Sequence, residues 1–431
     1  MKRWILSLAV LACSACQSAI DPQLSVTPSP ILQGDPVAIE LVGLEPGSSV
    51  TLRLDEIKMR RGAPTYYTSS ATFETPRSGK ISTAVNAPVE AGYAGVDQAG
   101  LFWSRRRPDA DQPAEDADLS PLTLSVDLDG DALPEFKEQI LLTPAAEALR
   151  TEPLGEAFPG AFAVYPEGDG PHPVVLILGG SEGHDSTAKS FAPRFASRGY
   201  LAIGVPYHSP AWGDRPQPIP GLPRAFSELP IDYLGAVTAQ VKTLPGADAD
   251  RIGIWGVSKG AEYALLAGAL IGEYQAIAAI VPSDVVWEGW GVRRTTSSFS
   301  WRGEPLPFVP YEGMGAEFQK PKPTLRIPHD AGRAANPDRV EPARIRVETI
   351  DAPVFLVGGD KDTVWASGPM ARAIKATRDA ANLETELYVS VSAGHFLSGD
   401  GYEPAFEPEA KIKGEAFPAM LAFFERHLKA E

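Results

Sequence analysis

A serine, a histidine and two aspartates stand in this chain in the order and contexts that acyl chemistry requires. The run Ile252-Gly253-Ile254-Trp255-Gly256-Val257-Ser258-Lys259-Gly260-Ala261-Glu262 reads as an apolar strand, a G-x-S-x-G turn and the start of a helix. A serine on such a strand-to-helix elbow is pushed out of the sheet, where its hydroxyl can attack a carbonyl carbon. The flanking glycines let strand and helix approach closely, and the first N–H groups of the helix face a developing oxyanion. Ser258 is the expected nucleophile.

A serine needs a base to take its proton, and the base needs an acid to fix its tautomer. Val354-Phe355-Leu356-Val357-Gly358-Gly359-Asp360-Lys361-Asp362 reads as a buried strand ending in glycines and acids. Of its two acids, Asp362, third after Gly359, is expected to orient the base. Val391-Ser392-Ala393-Gly394-His395-Phe396 follows the next strand, and a histidine in a small-residue turn can reach over the nucleophile. His395 is the expected base. His172, His184, His208, His329 and His427 fall where the Ser, Asp, His order places none.

An oxyanion hole in this arrangement takes one N–H from the residue after the nucleophile, Lys259, and one from a loop after an earlier strand. Gly179-Gly180-Ser181-Glu182-Gly183-His184 is that loop, with Gly180 and Ser181 as alternatives for the donor. It lacks the Lys-Ser/Thr ending of a phosphate-binding loop and any dinucleotide spacing. The Lys259 ammonium is expected to face solvent or to pair with an acid. Glu262, one turn along the helix, either supports the site or is an ordinary helix-face carboxylate. The chemistry requires no metal and no cofactor.

Apolar runs at Phe162–Tyr165, Val174–Leu178, Leu201–Val205, Ile252–Trp255, Ala278–Val281, Val354–Val357 and Glu386–Val389 read as strands, most of them continuous enough to be covered on both faces. Helices are expected at Ala188–Arg198, Ile231–Leu244, Lys259–Ile271, Ala366–Arg378 and Ala416–Leu428. Together they describe an α/β hydrolase fold, a mostly parallel sheet with helices on both faces, over residues 158–431. Between 284 and 349 an insert with Trp287, Trp290, Trp301 and many prolines interrupts the alternation, and is expected to cap the site and supply an apolar acyl pocket. Residues 21–145 carry short alternating runs punctuated by turns, the pattern of an all-β, immunoglobulin-like antiparallel sandwich. Trp103–Ser120 reads as a solvated loop, and 142–158 as a connector.

Met1-Lys2-Arg3 before Trp4–Ala12 has the basic start and short apolar core of an export signal. Cys13-Ser14-Ala15-Cys16 resembles a bacterial lipobox, so residues 1–15 are expected to be a lipoprotein signal peptide and Cys16, rather than Cys13, the lipidated residue. These expectations place the chain in the bacterial cell envelope, anchored by lipid. The chain's two cysteines lie there, which leaves the folded part no disulfide and no thiolate metal site. A length of 431 residues suggests two domains, and a net charge of −16 argues against a nucleic-acid partner.

The residues resemble the acyl-CoA thioesterase and bile acid-CoA:amino acid N-acyltransferase family along nearly the whole mature chain. Ala91-Gly92-Tyr93-Ala94-Gly95-Val96-Asp97-Gln98-Ala99-Gly100-Leu101-Phe102-Trp103-Ser104 looks like the segment typical of its sandwich. Leu178–Gly183, Gly256–Glu262 and the contexts of Asp362 and His395 are similar to its hydrolase domain. The resemblance implies attack on an acyl thioester, an acyl-enzyme, and release to water or an amine. Members that conjugate amino acids carry cysteine as nucleophile, so Ser258 favours water. An export signal removes the chain from cytoplasmic CoA, which leaves an exported carboxylesterase as an alternative, beside the N-acyltransferase. A lipoprotein that only binds is the remaining rival, disfavoured by the intact Ser, Asp and His set.

Overall fold

A computed structural model describes residues 21–60, 62–108, 120–211, 215–402 and 407–429. The signal segment with Cys13 and Cys16 lies outside these residues, as does 109–119 of the segment read as a loop. Among the described residues no helix is long and apolar enough to cross a membrane.

Two antiparallel sheets, with a short parallel pair of Ile31–Leu32 and Leu142–Thr143 beside them, make up the described amino-terminal part. One pairs Gln23–Thr27, Ala38–Val42 and Ile81–Ser82; the other orders Glu90–Ala91, Ala63–Glu74, Ser49–Arg60, Ser120–Asp127 and Phe136–Gln139. Alternation along the strands turns Ile39 and Leu41 from the first sheet onto Val50, Leu52, Leu54, Phe73, Leu124 and Val126 from the second. Phe102, Trp103 and Arg105 are buried, which corrects the reading of the segment from Trp103 as solvated: a short helix, Gly100–Trp103, plugs the sandwich there.

The carboxy-terminal part is built on β1 (Arg150–Pro153), β2 (Phe162–Tyr165), β3 (His172–Leu178), β4 (Leu201–Gly204), β5 (Ala247–Val257), β6 (Ala276–Ile280), β7 (Val354–Gly359) and β8 (Thr385–Ser390). They form one sheet in the order β1-β2-β4-β3-β5-β6-β7-β8. The β1–β2 and β2–β4 pairs are antiparallel, and all pairs from β4 through β8 are parallel. Helices α2 (Ile231–Val241), α3 (Lys259–Leu270) and α4 (Ser367–Ala380) cover one face; α1 (Ser186–Ala196) and α5 (Glu407–Leu428) cover the other. This is the α/β hydrolase fold. The connector near 142–158 in fact contains the edge strand β1, whose four residues are all exposed and polar or proline-like in character, so no apolar period announced it.

The insert folds as short helices, Met314–Phe318, Arg326–Ala335 and Pro337–Ala343, and a strand, Phe299–Trp301, that pairs with Leu229–Pro230. Its own core joins Val285, Trp287 and Val309 to Trp365 and Met370. Trp287 is fully buried there, so it fills the insert's core and does not wall an open acyl pocket.

Candidate active site

Strand β5 runs straight into α3 with Ser258 between them, at φ 56° and ψ −119°. A left-handed backbone on a serine stores about 1–3 kcal/mol, and persists because its surroundings allow no alternative. Those surroundings are tight. A Cβ on Gly256 would come within 2.2 Å of the Gly260 oxygen, and one on Gly260 within 2.3 Å of the Gly179 oxygen. Both glycines of the G-x-S-x-G turn are therefore fixed by close backbone approach.

Parallel pairing of β5, β6, β7 and β8 brings their carboxyl ends to one edge, and the loops beyond them carry the other two groups. His395 Nδ1 lies 2.7 Å from Asp362 Oδ2, and His395 Nε2 lies 3.0 Å from Ser258 Oγ. The carboxylate only accepts, so Nδ1 carries the proton and the Nε2 lone pair receives the Ser258 hydroxyl. Asp362 is 1% exposed, and its Oδ1 accepts the Val364 and Trp365 N–H groups at 2.7 and 3.2 Å. Asp360, the acid passed over, is held instead by Arg372 through two hydrogen bonds of 2.7 and 3.0 Å.

The N–H groups of Lys259 and Gly260 open α3 and, as at any helix start, have no acceptor within the helix. Opposite them, Gly180 sits so close that a Cβ on it would lie 3.2 Å from Ser258 Cβ. Its N–H, however, donates to Glu182 Oε1 at 3.0 Å, and Thr187 Oγ1 donates to the same oxygen. A substrate oxygen reaches the Gly180 N–H only by displacing that carboxylate. Among the described residues the Ser181 N–H makes no hydrogen bond.

Lys259 does not face solvent. Its side chain is 2% exposed, and the ammonium donates to Glu262 Oε2 at 2.8 Å and to Ser298 Oγ at 2.9 Å. Burial pushes the Lys259 ammonium toward losing its proton and the Glu262 carboxyl toward keeping one, while their mutual attraction opposes both shifts. The rings of Phe226, Phe299, Trp290 and Trp365 surround the ammonium at 5.4 to 5.9 Å. The one Ser298 hydroxyl proton lies between the Trp287 and Glu288 carbonyls, 2.8 and 2.9 Å from its oxygen, and Glu262 Oε1 accepts the Trp287 N–H at 3.3 Å. One ion pair beside Ser258 thus ties the insert to the elbow. The sequence offered pairing with an acid as one of two fates for this lysine, without Ser298.

His329, set aside by chain order, lies 3% exposed on the insert helix Arg326–Ala335, edge-on to Trp365, whose ring in turn meets His395 edge-on. Burial lowers its pKa to about 4, and lowers that of His208, beside the Gly179–His184 loop, to about 4 as well. Both are neutral in the fold, whereas an unfolded chain protonates them below about 6.5. The unfolded state therefore binds more protons between these values, and stability falls as pH drops from about 6.5 to about 4, by up to about 3 kcal/mol per histidine. Urea unfolding at pH 7.5 and 4.5 measures this, and a stability that is flat or rises toward acid contradicts it.

Comparison with known proteins agrees with this architecture at both ends. Residues 34–141 match the family described as Acyl-CoA thioester hydrolase/BAAT N-terminal region, and residues 229–424 match BAAT / Acyl-CoA thioester hydrolase C terminal. The chain is 24% identical over 401 residues to acyl-coenzyme A amino acid N-acyltransferase 2 of Rattus norvegicus, covering 90% of this chain and 88% of that one. It is 24% identical over 442 residues to acyl-coenzyme A thioesterase 5 of Mus musculus, covering 92% and 94%. Among solved structures it is similar to MGS-M1, an alpha/beta hydrolase from a deep-sea metagenome library, at TM-score 0.41 and 12% identity over 66% of this chain and 98% of that one.

Proposed function

Because the chain belongs to the acyl-CoA thioester hydrolase/BAAT family, we propose that it hydrolyses acyl thioesters through an acyl-enzyme on Ser258. The observation that carries this reading is the unbroken line of hydrogen bonds from Asp362 through His395 to Ser258, at 2.7 and 3.0 Å.

Ser258 Oγ attacks the acyl carbon while His395 Nε2 takes its proton, and the carbonyl oxygen becomes an oxyanion held by the Lys259 N–H and by the Ser181 or Gly180 N–H. Collapse expels the thiolate with a proton available from His395, leaving the acyl group on Ser258. Water then attacks the ester, gives its proton to His395, and releases the carboxylic acid and the free serine. Asp362 holds the imidazole in the required tautomer throughout. Trp290, partly exposed and stacked on the buried Phe226 beside the elbow, is the aromatic side chain there suited to packing against an acyl chain.

The serine favours water over an amine as acceptor. The amino-terminal signal and the lipidation expected at Cys16 support export to the bacterial envelope, and with it hydrolysis of oxygen esters as the second reading. A panel of acyl-CoA thioesters and matched oxygen esters, assayed with and without glycine or taurine, separates these outcomes. Thioester hydrolysis with no amide product is expected. Turnover confined to oxygen esters moves the assignment to an esterase, and amide formation moves it to an acyltransferase.

A further inference from the structure

The sandwich makes a connection to the catalytic loop that the proposed chemistry does not use. Seven residues after His395 the chain reaches Tyr402, which is 1% exposed and belongs to the core of the sandwich, not to the hydrolase sheet. Its ring stacks on Phe102 with centroids 4.7 Å apart and planes 15° apart. Its hydroxyl donates to the Asp35 carbonyl, and its own carbonyl accepts from Arg105. Arg105 is 2% exposed and is itself fixed by Glu56 at 2.7 Å and the Phe102 carbonyl at 3.1 Å. The residues between are held too: Leu397 is buried under the sheet, and Asp400 caps the Tyr402 N–H at 2.8 Å while pairing with Arg194 of α1.

Helix α5 makes the same connection from the other side. Ala410 is buried in the sandwich core, and α5 runs so close to the sandwich that a Cβ on Gly414 would meet the Trp103 ring at 2.8 Å. Five residues before Gly414 on this helix, Glu409 sets its carboxylate against the backbone of Gly394, next to His395, so close that a Cβ on that glycine would lie 2.9 Å from Glu409 Oε1. The first half of the helix thus packs on the sandwich through Ala410 and Gly414 and on the hydrolase core through Ile412.

We propose that the amino-terminal sandwich is a brace for the catalytic histidine: Phe102, Arg105 and Asp35 clamp Tyr402, and through Tyr402 and Glu409 they set where the His395 imidazole stands relative to Ser258. The proposal rests on the assignment of His395 as the base. Tyr402 and Glu409 are positioning residues, since neither touches a reacting atom. A base displaced by about 1 Å loses on the order of 100-fold in rate without any change in substrate contacts, so a small slackening of the clamp is enough to register.

The test uses the full chain, with p-nitrophenyl acetate turnover and the rate of inactivation by a fluorophosphonate as readouts. Tyr402→Ala is expected to lower kcat and the inactivation rate by about tenfold or more with KM changed by less than about twofold, while Tyr402→Phe, which keeps the stacked ring, recovers most of both. Phe73→Ala removes a ring from the same sandwich core without touching the His395 loop, and is expected to leave kcat within about twofold at a comparable fall in Tm. Should Tyr402→Ala fail to fold, Glu409→Ala against Glu409→Gln makes the same comparison, the glutamine keeping the shape that packs on the Gly394 backbone. Equal losses in the Tyr402 and Phe73 variants, or no loss in a folded Tyr402→Ala chain, overturn the proposal. If instead Ser258→Ala or His395→Ala reacts as fast as the unaltered chain, the failure lies with the proposed function and not with the brace.

Discussion

Replacing Ser258 by alanine is expected to lower kcat for acyl ester or thioester hydrolysis by about 10⁴ to 10⁶-fold, with the fold and Tm little changed. The reason is local. The exchange deletes one oxygen that is 3.0 Å from His395 Nε2 and keeps the Cβ that the elbow already accommodates at φ 56°. What survives is the contribution of the oxyanion donors and of binding, which alone sustain only a small residual rate. Steady-state kinetics on the purified variant, with circular dichroism to show that it is folded, checks this. A folded Ser258→Ala chain with more than about a tenth of the original kcat would remove the serine from the mechanism.

Asp362→Asn carries the second largest expected effect, a fall in kcat of about 10⁴-fold with KM nearly unchanged. The Asp362 Oδ1 site is committed to the Val364 and Trp365 N–H groups, so an asparagine keeps its oxygen there and must turn its amide NH₂ toward His395 Nδ1. A donor facing Nδ1 drives the imidazole proton to Nε2, the atom that has to receive the Ser258 proton. Geometry survives and the tautomer is wrong. Because Asp360 is engaged by Arg372 on the surface side of the strand end, it cannot substitute, and Asp360→Asn is expected to leave kcat within about twofold. Reversal of that order between the two acids contradicts the assignment.

The parts of the fold legible in the sequence are those whose signals are local. Val174–Leu178 and Val354–Val357 are apolar throughout because both faces of their sheet are covered, and each is a strand at the positions read from that pattern. The elbow was legible because Gly256 and Gly260 are demanded by backbone distances within the motif itself. Ser258, Asp362 and His395 could be named from their order along the chain, and the sheet brings the three into hydrogen-bond distance. What stayed hidden depends on partners far away in sequence. Arg105, read as part of a solvated loop, is buried because Glu56 and the Tyr402 carbonyl receive it, and neither is near it in the chain. Helix α5 begins nine residues before the apolar pattern at Ala416 suggested, since its first turns bury Ala410 in the sandwich core among polar residues such as the exposed Lys411 and Glu415. Strand β1 lies at an exposed edge and has no apolar face to read. The Gly180 N–H was a sound candidate by position, yet only coordinates reveal that the Glu182 carboxylate occupies it.

The insert shows the same division. Its tryptophans suggested an apolar lining, but Trp287 is enclosed by the insert's own core, while Trp290 stacks on Phe226 at 4.3 Å beside the Lys259 ammonium. The fastening of this insert to helix α3 through Lys259, Glu262 and Ser298 is a long-range contact that no periodicity encodes.

The central claim is that acyl transfer passes through a covalent bond to one hydroxyl, activated by one imidazole. Treating the purified chain with a fluorophosphonate at neutral pH and mapping the modified peptide by mass spectrometry tests it most directly. The account predicts a single adduct on Ser258, formed at least about 100-fold more slowly in His395→Ala. An adduct on another residue, or undiminished acyl ester turnover in a chain that Ser258 labelling has fully blocked, would contradict it.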